Sequence, residues 1–266
     1  MTRTILSDNG PIEPAVPPTD GVDPAAYGER WVEIYDAYPA HPTAEDAEPA
    51  ADVLADLAGD YAALEFGIGT GRVAIPLSAR GVDVRGIDAS SAMLQRLREK
   101  PGGGTIPVLR GDIRRDRMDG RYLLVYAVFN TLVMLLNQAD QVSCFENAAK
   151  HLEPGGWFVV ETFVPDFHKL TMRKSIDVKH LDRTGAWLLS MHHDPLRQLI
   201  FNESIRIDAT GVQRYPVTLR YAWPSELDLM ARFAHLHLVD RFASWLREPY
   251  EHTSRNQISI YRLGSP

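Results

Sequence analysis

The residues with the most chemical potential lie in "ALEFGIGTGRVAI", residues 63–75. An apolar run ends at Glu65. Glycines follow at alternate positions, Gly67, Gly69 and Gly71, and Arg72 to Ile75 reads as the first turn of a helix. A turn without side chains between strand and helix lets a ligand approach the backbone and exposes helix N–H groups to it. A dinucleotide site asks for G-x-G-x-x-G, but the sixth position counted from Gly67 is Arg72. Four more side chains have the chemistry of a general base. Glu161 ends an otherwise apolar strand. Glu203 interrupts the apolar row Leu199, Phe201, Ile205 and Ile207, which is costly for a carboxylate unless it is paired or used. His192 and His193 precede the turn at Pro195 and point to opposite faces if their segment is a strand. Each also has a plainer reading as a satisfied structural residue.

The elements around these residues alternate. "AALEF" reads as strand, 71–80 as helix, "VDVRGID" as strand and "SSAMLQRLREK" as helix. "IPVLRGDI" and "YLLVYAVF" read as strands, "QADQVSCFENAAKHL" as a helix ending at Pro154-Gly155-Gly156, and "WFVVETF" as a strand. Such alternation makes right-handed βαβ units and a parallel sheet covered on both faces. Ahead of it, "DPAAYGERWVEIYDAY" (23–38) reads as one helix with Tyr27, Trp31 and Tyr35 on one face, and a second helix covers 44–58. After Phe163 the period changes to two. Residues 199–208 and 215–223 alternate around the turn "DATG", as an antiparallel hairpin with one apolar face, and "WLLSMHHD" suits a third strand. A helix from Pro224 and two strands, "HLVDRFASW" and "QISIYRL", close the chain.

Composition bounds the classes. The 266 residues are 45% hydrophobic and 24% charged, which suits one large α/β domain. A net charge of −7 disfavours non-specific binding to nucleic acid, and the cluster Arg110, Arg114, Arg115, Arg117 reads as a solvated loop. The lone Cys144 permits no disulfide within the chain. With no signal-peptide core and no 18-residue apolar span, the expectation is a cytoplasmic protein without a membrane partner. Residues 1–22, with four prolines and two glycines, read as a flexible leader.

With these elements in register, E-x-G-x-G-x-G after the first strand resembles motif I of class I S-adenosylmethionine-dependent methyltransferases. Asp88 in "RGIDAS", Asp112 in "RGDI", "YAVFNTL" ending the fourth strand and "HLEPGGWFVVETF" agree with the family in order. "FGIGTGRVAIPL", "FNTLVMLLNQADQVSCFENAAKHL" and the antiparallel insertion look like bacterial small-molecule methyltransferases of specialised metabolism, the amino-sugar N,N-dimethyltransferases among them. The resemblance implies an α/β, Rossmann-like sheet of seven strands with helices on both faces and an antiparallel β insertion after strand five. It divides the chain into a helical lid (23–58), a cofactor-binding core (59–163 and 224–266) and a substrate-cap or dimer insertion (164–223).

It also implies a site for S-adenosyl-L-methionine. Asp88, with Ala89 beside it, would take the ribose hydroxyls, since a vicinal diol suits a bidentate acceptor. Glu65 would sit by the positive methionine end, and Gly67, Gly69 and Gly71 would admit the cofactor without a Cβ clash. Asp112 would accept from the adenine amino group with Ile113 on the ring face, and Met93 would pack there too. Val128 and Phe129 belong to the methyl-transfer floor. Tyr27 and Tyr35 of the lid would contact the cofactor, and Arg72 would pair with its carboxylate or with an acid on the lid. The activity implied is methyl transfer to an amine or hydroxyl of a small molecule, without a metal. Val128-Phe129-Asn130-Thr131 lacks the proline pair of the nucleobase and glutamine-amide methylases. The rivals are a non-methylating enzyme on the same cofactor, as a cyclase or decarboxylase, and a nicotinamide dehydrogenase. The apolar face of the insertion would suit a homodimer.

Overall fold

Ala63–Phe66, the apolar stretch before the glycines, forms β1 and is buried at all four positions. In this computed structural model, which describes residues 22–38, 41, 43, 45–166, 170–171 and 174–264, β1 is an interior strand of a seven-stranded sheet. The leader expected over 1–22 lies outside the described residues except for Val22. β2 (Val84–Asp88) and β4 (Tyr122–Ala127) flank β1 in parallel. β3 (Val108–Arg110) lies beyond β2, and β5 (Leu152–Phe163) beyond β4. The late strands β10 (Leu236–Phe242) and β11 (Asn256–Leu263) complete the order β3-β2-β1-β4-β5-β11-β10. β11 runs antiparallel to both neighbours. The chain reverses its direction of winding between β1 and β4, and the carboxyl ends of those strands frame the crevice such sheets use for ligands.

Helices cover both faces, as the apolar periodicity requires. α2 (Glu48–Ala58), α3 (Ala74–Ala79) and α4 (Ser91–Glu99) share one apolar cluster that includes Leu54, Leu77, Leu97 and Tyr126. α5 (Gln138–His151) and α6 (Pro224–Phe233) share the other, with Phe66, Phe145, Phe158, Leu227 and Cys144. The Pro154-Gly155-Gly156 stretch does not separate helix from strand as expected. It is a bulge within β5, with Gly155 at φ +78°, where the β4 register jumps from Tyr122 to Leu124.

The N-terminal segment is not one helix. α1 covers only Ala26–Trp31, and Tyr35–Ala37 forms a separate 3-10 turn. Val32, Ile34 and Tyr35 are weak helix formers. The break lets Trp31 and Tyr38 meet edge to face at 5.2 Å.

The insertion is a sheet of four antiparallel strands, β6 (Lys174–Leu181), β7 (Gly185–Asp194), β8 (Leu199–Asp208) and β9 (Gly211–Arg220). β6 was missing from the sequence reading. The register also corrects the expected single apolar face. Asp208 pairs with Gly211, so Phe201, Glu203, Ile205 and Ile207 share a face with Thr218, Pro216, Arg214 and Val212. Tyr215 and Val217 lie on the opposite face with Ser204 and Asn202. That second face meets the N-terminal segment: Tyr215 packs on Trp31, Trp187 on Tyr38, and the Tyr38 hydroxyl is 2.7 Å from Ser204 Oγ.

Candidate active site

A cavity of about 620 Å³ opens at the carboxyl ends of the parallel strands. α1, the glycine turn, the ends of β2 and β3, residues 134–137 and the β9 segment Pro216–Thr218 wall it. The glycines divide by role. Gly67 has φ +71°, and a Cβ there would lie 2.5 Å from the Thr131 methyl, so no side chain fits. Gly69 lines the cavity and donates its N–H to Asp88 Oδ2 at 2.8 Å. Gly71 lines neither cavity; at φ +78° it lets the turn close on Leu97 and Ile75. Close packing of α4, not ligand approach, therefore requires the third glycine.

At one end of the cavity stand Asp88, Ala89 and Met93. The Asp88 carboxylate is oriented by the N–H groups of Gly69 and Ser90, each at 2.8 Å, and burial raises its pKa. Asp112 and Ile113 line the neighbouring wall. Arg114 occupies both oxygens of Asp112, through Nε to Oδ1 at 2.9 Å and Nη2 to Oδ2 at 2.6 Å, and reaches Asp140 at 2.6 Å. Burial works against the charged form of Asp112, but the hydrogen bonds from Arg114 outweigh it and hold the pKa below its usual value. Arg114 is thus a wall residue fixed between two carboxylates, not the solvated loop cation expected.

A recess of about 30 Å³ opens at the other side of Gly67, lined by Tyr35, Glu65, Arg72, Val128, Phe129 and Thr131 among others. Glu65 is 3% exposed, and among the described residues its carboxyl is hydrogen-bonded only by the Tyr126 hydroxyl, at 3.1 Å. Burial pushes its pKa up to about 8 against that bond and the Arg72 charge. The Arg72 guanidinium lies 4.7 Å from the centre of the Phe129 ring and has no ion pair among the described residues. Among the described residues, the recess thus holds a buried carboxyl without a cation bonded to it and a guanidinium without a bonded anion.

The N-terminal segment roofs both spaces. Tyr27 and Tyr35 line the cavity and meet edge to face at 6.3 Å; burial raises both phenols, Tyr35 to about 12. Two acids tie the roof down. Glu29 Oε1 accepts from Ser90 Oγ, Ser91 Oγ and the Ala92 N–H, at 3.0, 3.0 and 3.1 Å, over the first turn of α4. Asp36 accepts from Thr70 Oγ1 and Lys100 Nζ, both at 2.8 Å.

None of the four expected bases lines the cavity or the recess. His192 is on the outward face of the insertion, stacked on Phe201 at 5.6 Å. Glu203 shares that face and pairs with Arg214 at 2.7 Å, which removes the cost of placing it in an apolar row. His193 is buried with both nitrogens engaged, Nδ1 to Leu170 O at 2.8 Å and Nε2 to the Tyr221 hydroxyl at 3.1 Å. Glu161 holds the floor. It accepts from the Phe129 N–H at 2.7 Å and from Trp245 Nε1 at 3.0 Å, and burial raises its pKa. Phe129 and Asn130, at φ +50° and +69°, take left-handed backbone that other residues rarely adopt, and Glu161 fixes it. Sequence reasoning missed Thr131, Leu136, Asn137, Asp140 and the Pro216–Thr218 wall. The E-x-G-x-G-x-G spacing carries no signal for them.

The winding, the acids at strand ends around a glycine turn and the last antiparallel pair define the class I methyltransferase architecture. Residues 63–156 match the methyltransferase domain family. The CcbJ methyltransferase from Streptomyces caelestis is 38% identical, with a TM-score of 0.85 over 91% of this chain and 100% of that one. A cypemycin N-terminal methyltransferase from a Streptomyces species is 25% identical over 90% of this chain and 98% of its own length. The amino pentose methyltransferase CalS10 of Micromonospora echinaspora, solved with SAM bound and 20% identical over 87% of this chain and 97% of its own, shares the fold with a TM-score of 0.67. The chain belongs to the S-adenosylmethionine-dependent methyltransferases.

Proposed function

We propose that the cavity and recess together hold S-adenosylmethionine, and that the acceptor is an amine or hydroxyl of a small molecule of specialised metabolism. The observation that carries the first part is the charge arrangement at the recess. A free amino acid end brings an ammonium and a carboxylate; Glu65 and Arg72 are the unmatched partners of each. Gly67, where a Cβ would run into the Thr131 side chain, lines both this recess and the cavity. Asp88 would take the ribose hydroxyls with the lone pairs its two N–H donors leave free, while Asp112 and Ile113, with Ala89 and Met93, would hold the adenine. Tyr27 and Tyr35 would close over the bound molecule.

The cofactor supplies an already activated methyl group on a sulfonium. The protein's part is then to align the acceptor and keep water out. Phe129, set by Glu161, gives the floor; the N-terminal aromatic residues give the roof; β9 gives the far wall. The relatives support the acceptor class: one is named for the N-terminus of cypemycin and another for an amino pentose. An amine is favoured. No helix among the described residues is long and apolar enough to cross a membrane. A homodimer through the outward face of the insertion is part of the same proposal.

Calorimetric titration with S-adenosylhomocysteine and, separately, NADH tests the site. Low-micromolar binding of the first only, weakened about tenfold or more by Asp88→Ala, is the expected result. Binding indifferent to Asp88, or a preference for NADH, would overturn it.

A further inference from the structure

Among the described residues, Tyr35, Gly67, Phe129 and Thr131 line both the cavity and the recess. A ligand that spans the two spaces must pass these four. Thr131 was picked out by no motif, yet its side chain closes on the passage. A Cβ on Gly67 would lie 2.5 Å from Thr131 Cγ2 and 2.8 Å from Oγ1, so the hydroxyl stands directly over that glycine. Oγ1 is also 2.9 Å from the Val128 carbonyl oxygen. A carbonyl only accepts, so the hydroxyl proton is spent there and the oxygen keeps its lone pairs. Thr131 precedes the 3-10 turn Leu132–Met134, where a threonine usually accepts from an N–H of the turn it caps. It makes no such bond, because Oγ1 is turned back to Val128. Among the described residues no group donates to it. The junction therefore carries a hydroxyl that can accept and cannot donate. The Tyr35 phenol, the other polar side chain there, keeps its proton, because burial raises its pKa to about 12.

We propose that Thr131 is a specificity-determining residue of this site, whose Oγ1 accepts from the positively polarised group at the centre of the bound molecule. This rests on the reading of cavity and recess as the S-adenosylmethionine site. With the nucleoside in the cavity and the amino acid end in the recess, the group between them is the methylsulfonium. The positive sulfur polarises the methyl C–H bonds and makes them donors to an oxygen lone pair. A hydroxyl free to turn would offer its proton as readily as its lone pairs; the bond to Val128 prevents that. S-adenosylhomocysteine has lost both the charge and the methyl, so the contact lapses once the methyl is transferred. Thr131 thus favours the methyl donor over the spent product and holds the donor's methyl over the Phe129 floor.

Equilibrium binding of sinefungin tests this without knowledge of the acceptor. Sinefungin carries a primary amine on carbon where the cofactor carries its methylsulfonium, and that ammonium is a strong donor. It shares both ends with S-adenosylhomocysteine, so Glu65, Arg72 and Asp88 act on the two alike and the affinity ratio reports the junction. Thr131→Val puts a methyl group of similar size in place of the hydroxyl, and Thr131→Ser keeps the oxygen. Wild type should prefer sinefungin about tenfold at about pH 7.5. The preference should fall to about twofold in Thr131→Val and stay within about threefold of wild type in Thr131→Ser. Affinity for S-adenosylhomocysteine should change less than about threefold in either variant. A wild type without the preference, an unchanged preference in Thr131→Val, or a Thr131→Ser as indifferent as Thr131→Val would each overturn the proposal. A parallel loss of both affinities at constant ratio would do the same and make Thr131 a packing residue of the turn. Failure of both ligands to bind wild type would instead overturn the reading of the cavity.

Discussion

At the level of single residues, Glu65 sets the pH dependence of cofactor binding. In the free protein its pKa is about 8, so at neutral pH the carboxyl is mostly protonated. An ammonium placed beside it favours the charged form and lowers that value. Binding below about pH 8 must then expel a proton, and affinity for S-adenosylhomocysteine should rise with pH, by up to about tenfold per unit, before levelling near 8. Titrations in buffers of different ionisation enthalpy would show the proton release, which should vanish in Glu65→Gln. The same shift acts on stability. A carboxyl with a raised folded pKa gives a contribution complete below its ordinary 4.5 and lost as the pH climbs to 8. Glu65→Gln should therefore flatten the stability of the free protein across that window while weakening the ligand about tenfold. An affinity that falls with rising pH would refute the assignment. Glu65 itself was readable from the sequence, since its place at the end of β1 follows from the glycine turn. So were the positions of Asp88, Asp112 and Phe129 at strand ends on the cavity wall. Asp140 and Pro216–Thr218 were not, because only the packing of residues far apart in sequence brings them to that wall.

Among the elements, the N-terminal segment has the least support of its own. α1 is six residues long, with no side-chain N-cap, so docking rather than helix propensity holds it. Glu29 is the main polar clasp: its single oxygen joins α1 to three donors at the start of α4. Gly28 permits the approach, because a Cβ there would lie 2.6 Å from Ser90 Oγ. Glu29→Ala should leave the parallel sheet intact, since the carboxylate touches neither core cluster. It should loosen the roof, with S-adenosylhomocysteine affinity down about three- to tenfold and faster proteolysis near Arg30. Unchanged affinity and cleavage would mean that the aromatic contacts alone seat the segment. The sequence reading put one long helix here because the spacing of Tyr27, Trp31 and Tyr35 fits one. Its error was to take ring periodicity for continuity, when Trp31 turns to meet Tyr38 and Tyr215. The insertion failed differently. Alternation marked three strands correctly but left the register open, and register decides which row of side chains faces inward. His192 and Glu203 thereby moved from the pocket to the outer surface.

For the molecule as a whole, that outer surface is the feature a single chain does not explain. The inward face of the insertion is spent on the roof, through Tyr215, Trp187 and Ser204. Across the outward face, Val178 pairs with Leu188 and Leu188 with Ile205, while the next row joins Leu181, Ala186, Ile207 and Val212. Ile176, Val178, Ile207 and Val212 are 71%, 61%, 40% and 64% exposed. One apolar row that crosses all four strands and a second that crosses three mark an interaction surface, and the twofold packing of one copy on another is the simplest cover for it. The Glu203–Arg214 pair lies on the same face, where it would set register against a partner. Light scattering on the eluting protein should give twice the mass of one chain. Ile207→Lys with Val212→Lys should give a single chain, at a stability change within about 0.5 kcal/mol per substitution, because both positions are exposed in the isolated chain. None of these residues lines the cavity, so the single chain should bind S-adenosylhomocysteine within about threefold of wild type. A wild-type protein that elutes as one chain at micromolar concentration would leave the face without this partner. A variant that separates the chains and loses the ligand would show that the far wall of the cavity depends on the second copy.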